Sequence, residues 1–97
     1  MPVDPSISAE LCSALSAVLK DAREELALSL GEVSGRACLN RQAVTFIEQD
    51  ERSPTTETFA RHAIALGLRP SEVWARAEAK FPPKWWRQIE ATAKTKD

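Results

Sequence analysis

The groups in this chain that could act on a substrate are few and scattered. His62 is the only histidine, and no Cys, Asp or Glu stands at metal-ligand spacing around it, so it is read as a surface residue of a helix and not as a ligand. Cys12 and Cys38 lie in different segments without CxxC or Cys/His spacing. That arrangement suggests neither a zinc site nor a disulfide framework and fits a reducing cytosol. Ser29 and Ser53 lack a base partner, and the carboxylate pairs Glu24 with Glu25 and Asp50 with Glu51 are neighbours in surface segments, not convergent groups. No catalytic residue, metal or cofactor is expected, and the chemistry left to this chain is binding.

The frame that positions binding groups is small. A chain of 97 residues with 43% hydrophobic content can build one core but not two. Lys and Arg number 13 against 14 for Asp and Glu, a net charge of -1, which excludes a globally basic nucleic-acid coat or a polybasic membrane binder. Charge is uneven, however: residues 1–40 carry net -3, residues 41–74 net -1 and residues 75–97 net +3. Charges interrupt every apolar stretch well short of the roughly 20 residues that cross a bilayer, and no export signal opens the chain, so a cytoplasmic protein without a membrane partner is expected.

Apolar residues recur at three- and four-residue steps and no strand alternation appears, so the chain reads as all-α. Residues 1–8 are expected to be a tail. A first helix over residues 9–26 carries Leu11, Leu15, Val18, Leu19, Ala22 and Leu26 on one face. Ser29 with Glu32 forms a capping box that starts a second helix lasting to about Ala37. Asn40 caps a third helix through Val44 and Ile47, and Asp50 suits the left-handed residue that ends it. Thr55 caps a fourth helix with Phe59, Ala63, Ile64 and Leu66 inward, ended by Gly67. Pro70 opens a fifth with Val73, Trp74 and Ala77 inward. After Pro82 and Pro83, a last amphipathic helix carries Trp85, Trp86, Ile89 and Ala93. The expected organisation is a tail at 1–8, a main domain at 9–79 and a C-terminal amphipathic extension at 80–97.

Two short helices joined by a tight turn, the second polar on its outer side, form the layout that presents a helix to the DNA major groove. Residues 23–68 resemble the phage repressor and Cro-like family of helix-turn-helix regulators, the XRE family. The matching residues are Arg23, Leu28, Ser29, Glu32, Val33, Ala37, Leu39, Val44, Ile47, Glu48, Pro54, Ala63, Leu66 and Gly67, with spacing kept throughout. The resemblance implies a five-helix repressor-like bundle, with helices 2 and 3 as the helix-turn-helix, followed here by the short C-terminal helix.

It also implies that helix 3 reads base edges through its outward residues Arg41, Gln42, Thr45 and Phe46. The Arg41 fork suits guanine O6 and N7, Gln42 suits adenine N6 and N7, and Phe46 would pack on thymine methyls. Phosphate contacts are expected from Ser29, Arg36, Gln49 and Arg52, and a shielded ion pair from Arg23 and Glu48. Two positions depart from the family pattern. Leu30 stands where Gln commonly touches the backbone, and Cys38 takes the left-handed position of the turn usually given to Gly.

A helix-turn-helix of this size reads one half-site, so a homodimer on a palindromic operator is expected, controlling a promoter as a repressor. Trp74, Phe81, Trp85 and Trp86 are more large aromatics than the end of a five-helix domain requires. Two readings stand level: Trp85, Trp86 and Ile89 as candidate dimer contacts, or packing of this helix onto helices 1 and 5 of the same chain, with a shared version that turns one Trp inward and one toward a partner chain. The alternative from another class is an antitoxin-like module that binds a protein partner through this C-terminal segment.

Overall fold

The computed structural model describes residues 5–94, and these form six α-helices: α1 (Pro5–Glu25), α2 (Leu30–Ala37), α3 (Arg41–Glu48), α4 (Thr56–Ala65), α5 (Pro70–Glu78) and α6 (Pro83–Lys94). The chain is all-α, and among the described residues no helix is long and apolar enough to cross a membrane.

The short helices start where a side chain can take up an orphan amide. The Ser29 hydroxyl accepts from the Glu32 amide at 3.0 Å while the Glu32 carboxylate accepts from the Ser29 amide at 3.0 Å. Asn40 Oδ1 accepts from the Ala43 amide at 2.7 Å, and Thr55 Oγ1 from the Thr58 amide at 3.2 Å. Pro70 occupies the first turn of α5, where its missing N–H costs nothing.

Four helix ends share one device. Ala27, Cys38, Asp50 and Gly67 all have positive φ, from 55° to 74°. In each case the next amide reaches back five residues: Leu28 to the Arg23 carbonyl, Leu39 to Ser34, Glu51 to Phe46 and Leu68 to Ala63, at 2.9 to 3.1 Å. Leu28, Leu39 and Leu68 then drop against the core, so the turn that stops each of these three helices also places an apolar anchor. Only Gly67 adopts this conformation without a Cβ. At Cys38 the left-handed backbone costs about 1 kcal/mol, and Cys38→Gly is expected to raise stability by about that amount in urea denaturation.

One core holds the first five helices together. Leu15, Val18, Leu19 and Ala22 of α1 meet Val33 and Ala37 of α2, Val44 and Ile47 of α3, Phe59 and Ala63 of α4, and Val73 and Ala77 of α5, all buried. α1 packs on α3 and α5, α2 on α3 and α4, and α4 on α5. α3, the shortest helix with α2, is therefore wedged between α1 and α2 with only its outer side free.

Several expectations need correction. The first helix starts at Pro5, four residues before the expected Ala9, because a proline fits an opening turn. The expected tail is therefore helical over residues 5–8, and residues 1–4 lie outside the described part. Leu26 is 51% exposed because the helix stops at Glu25 and the chain turns at Ala27. Ile64 is 65% exposed, and His62, expected at the surface, is completely buried. The inward stripe of α4 is Phe59, His62, Ala63 and Leu66, spaced by three and four residues, and Ile64 falls off it. Trp74 is 37% exposed although expected inward.

Among the described residues α6 packs extensively on no other helix, and its aromatic contacts lie at the end of α5. It is tied to the end of α5 by Phe81. Trp85 stacks on that ring with centroids 5.0 Å apart, Trp86 meets it edge-on at 6.1 Å, and the Trp86 indole N–H donates to the Glu78 carbonyl at 3.3 Å. Ile89, farther along, is 44% exposed.

Candidate nucleic-acid interface

The outer side of α3 is set by what its inner side must do. Val44, Ile47 and Glu48 are buried, which turns Arg41 and Gln42 fully outward at the start of the helix and leaves Thr45 and Phe46 half-buried on the following turn. The Arg41 and Gln42 side chains project from the helix N-terminus, the end that enters a groove in helix-turn-helix docking. The Thr45 hydroxyl donates to the Arg41 carbonyl at 3.1 Å, so its proton is spent within the helix while its oxygen can still accept. Phe46 is not bare. The Arg52 guanidinium lies over its ring, Cζ 4.7 Å from the centroid, and this stacking draws the loop after α3 up against the helix.

Ser29, Arg36, Gln49 and Arg52 are all exposed. Ser29 stands at the start of α2, where the Glu32 carboxylate already meets the backbone. Those hydrogen bonds from Ser29, the backbone one foremost, hold the Glu32 carboxyl below its ordinary value. In Ser29 both the amide and the hydroxyl are thus engaged with Glu32, so the hydroxyl could serve an incoming phosphate only in competition with that carboxylate. Arg36 lies in the last turn of α2 and Gln49 caps the end of α3, so these four groups line the ends of the motif and the loop beyond it.

The bracing of α3 is stronger than its length suggests. Arg23 of α1 donates from Nε to Glu48 Oε2 at 2.7 Å and from Nη2 to Oε1 at 3.0 Å, and its Nη1 donates to the Leu28 carbonyl at 2.9 Å. The Arg23 side chain is 15% exposed and that of Glu48 4%, so this fork ties the last turn of α3 to α1 and to the entry of α2 with the carboxylate shielded and the guanidinium partly open to water. The hydrogen bonds to Glu48 raise the Arg23 pKa further above its already high value. Leu30, at the position where the family commonly places Gln, is partly buried against the core and braces α2 by packing.

Two groups near this brace were not read as functional from the sequence. Arg61 of α4 pairs with Glu57 at 2.6 Å and reaches the Cys38 carbonyl at 3.5 Å, touching the turn of the motif; its only sequence signal is a charge pair at i,i+4. His62 is buried with neither ring nitrogen at a hydrogen-bond partner among the described residues. Desolvation lowers its pKa below the ordinary 6.5, against the attraction of Glu48, with Arg23 adding to the lowering. The unfolded chain therefore binds the proton first. The stability due to neutral His62 is full above pH 6.5 and is progressively lost as pH falls from there towards the folded-state value. In His62→Leu that part of the acid slope in a stability-versus-pH series is expected to vanish.

Among the described residues no group of His, Cys, Asp and Glu could hold a metal ion. The family model described as Helix-turn-helix matches residues 19–73, from the middle of α1 into α5 and so across the whole motif. The chain belongs to the XRE-type helix-turn-helix family. Membership makes it a DNA-binding regulator of transcription and points away from an enzyme. Two crystal structures of the clp gene regulator ClgR from Corynebacterium glutamicum share this helix-turn-helix fold. They superpose with TM-scores of 0.68 and 0.67 at 20% identity, covering 86% of this chain and 88% and 99% of theirs. No curated protein matches the chain.

Proposed function

We propose that this helix-turn-helix protein is a dimeric repressor that reads a palindromic operator with α3. The observation that supports this most is the pairing of a clamped inner side with an open outer one. A buried bidentate ion pair fixes the last turn of α3, while Arg41 and Gln42 stand free at its first turn. Rigid presentation of a planar donor fork and an amide is what major-groove readout requires, and side chains on a fixed helix lose less freedom on docking than those on a loop. In this reading Thr45 accepts from a base edge and Phe46 packs on a thymine methyl. Ser29, Arg36, Gln49 and Arg52 meet phosphates. The likeness to a protein named as a gene regulator is in keeping with it. An electrophoretic shift with duplex from upstream of the protein's own reading frame tests the proposal. A retarded band that survives excess random duplex is expected, and equal competition by random duplex contradicts it.

The second copy is assigned to α6. Phe81 accounts for one side of each of Trp85 and Trp86 in the same chain, Ile89 farther along is 44% exposed, and among the described residues α6 packs extensively on no other helix. Apolar contact through Trp85, Trp86 and Ile89 would set two α3 helices about 34 Å apart, one turn of B-DNA. Ile89→Arg is expected to convert the dimer into a species of 10.7 kDa in sedimentation without loss of helicity. A wild-type chain that sediments as a monomer even on operator DNA, or a dimer indifferent to both Ile89→Arg and Trp85→Ala with Trp86→Ala, removes this interface. A protein partner on α6 would then take its place.

A further inference from the structure

Beneath the loop that follows α3 lies a cavity of about 170 Å³, on the side of the bundle formed by α1, α4 and α5. We infer that it is a binding site for a small aromatic amine. Its size is close to that of the apolar holes of about 150 Å³ that take up one benzene ring. A helix about 10 Å across cannot enter it.

The walls supply the ring contacts. Leu15 and Leu19 come from α1, Ile47 from α3, Phe59 from α4 and Trp74 from α5. Phe59 and Trp74 meet edge to face at 6.1 Å, which leaves ring surface of Trp74 open to a third aromatic group. This also accounts for the incomplete burial of Trp74 on a helix whose neighbours Val73 and Ala77 are fully enclosed.

The charge of the ligand follows from the rim. Among the described residues Asp50 is the one carboxylate lining the cavity, and no Lys, Arg or His lines it. Its carboxylate accepts from the Ser13 hydroxyl of α1, and among the described residues no cation pairs with it. The left-handed backbone at Asp50, closed by the Glu51 amide on the Phe46 carbonyl, holds that carboxylate in place. An ammonium group would complete it, whereas a carboxylate or phosphate would meet repulsion with nothing to offset it. The turn that carries Asp50 also carries Arg52, so an occupant sits directly under the loop assigned to phosphate contact.

The test is an amide NMR titration of the full chain with 2-phenylethylamine and, separately, with phenylacetate, which keeps the ring and reverses the charge. Saturable shifts at Leu15, Leu19, Asp50, Phe59 and Trp74 are expected with the amine, and binding at least about tenfold weaker with the acid. Asp50→Asn, whose amide tolerates the left-handed backbone, is expected to erase that preference. No saturable shift with the amine, equal binding of the two probes, or an unchanged preference in a folded Asp50→Asn overturns the proposal. So do shifts at these residues that follow protein concentration alone, which would make a second copy the occupant. None of these titrations contains DNA, so their failure leaves the reading of α3 untouched.

Discussion

Glu48→Ala is expected to cost about 3 kcal/mol of folding stability, a large fraction of what holds a chain of this size together. The pair it breaks is bidentate and nearly enclosed, with the Glu48 side chain only 4% exposed. Removing the carboxylate leaves the Arg23 guanidinium, among the described residues, with the Leu28 carbonyl as its remaining hydrogen-bond acceptor in a part-buried site. The loss therefore contains the desolvation of an unmatched charge as well as the lost hydrogen bonds. Urea denaturation measures it. A loss under about 1 kcal/mol would place the pair with ordinary surface ion pairs and would remove the argument that it clamps α3.

The second large effect is on recognition. If α3 reads DNA as proposed, Arg41→Ala and Gln42→Ala each lower affinity for the operator by about 1 to 3 kcal/mol, the worth of one bidentate contact to a base pair, while binding to random duplex changes little. Neither side chain packs on the core, so the fold should be unaffected. Arg52→Ala is expected to behave differently. In the proposed reading it removes a phosphate contact, weakening all duplexes nearly alike and flattening the salt dependence, and it also uncovers the Phe46 ring that its guanidinium overlies. Fluorescence anisotropy with specific and random duplexes at two salt concentrations separates the two patterns.

The helices of the motif were legible because their starts are written in local chemistry. Ser29 with Glu32, Asn40, Thr55 and Pro70 each satisfy or dispense with an orphan amide, and α2 to α5 begin one residue after the cap or at the proline itself. The left-handed stop at Asp50 was readable from its residue type, and the one at Cys38 only through the family resemblance. Less legible was anything that depends on which face a helix turns to a neighbour. His62 sits at three- and four-residue steps from Phe59 and Leu66, so the period that marks the core includes it. A polar side chain there ordinarily indicates surface, and the period overrode the residue type. The stacking of Arg52 on Phe46 could not be read at all, since it joins a helix to a loop through a conformation that no local spacing fixes. The same holds for the cavity over Asp50, whose walls come from four helices.

Selection from a library of randomised duplexes decides whether α3 reads a particular DNA sequence. After repeated rounds of binding at physiological salt, one enriched motif is expected. It should have two half-sites related by a dyad with centres about one helical turn apart, with guanine and adenine positions that become degenerate when Arg41→Ala and Gln42→Ala are selected in parallel. Recovery of duplexes with no common motif by a folded protein, or of the same motif by the parent and both variants, would contradict readout by α3.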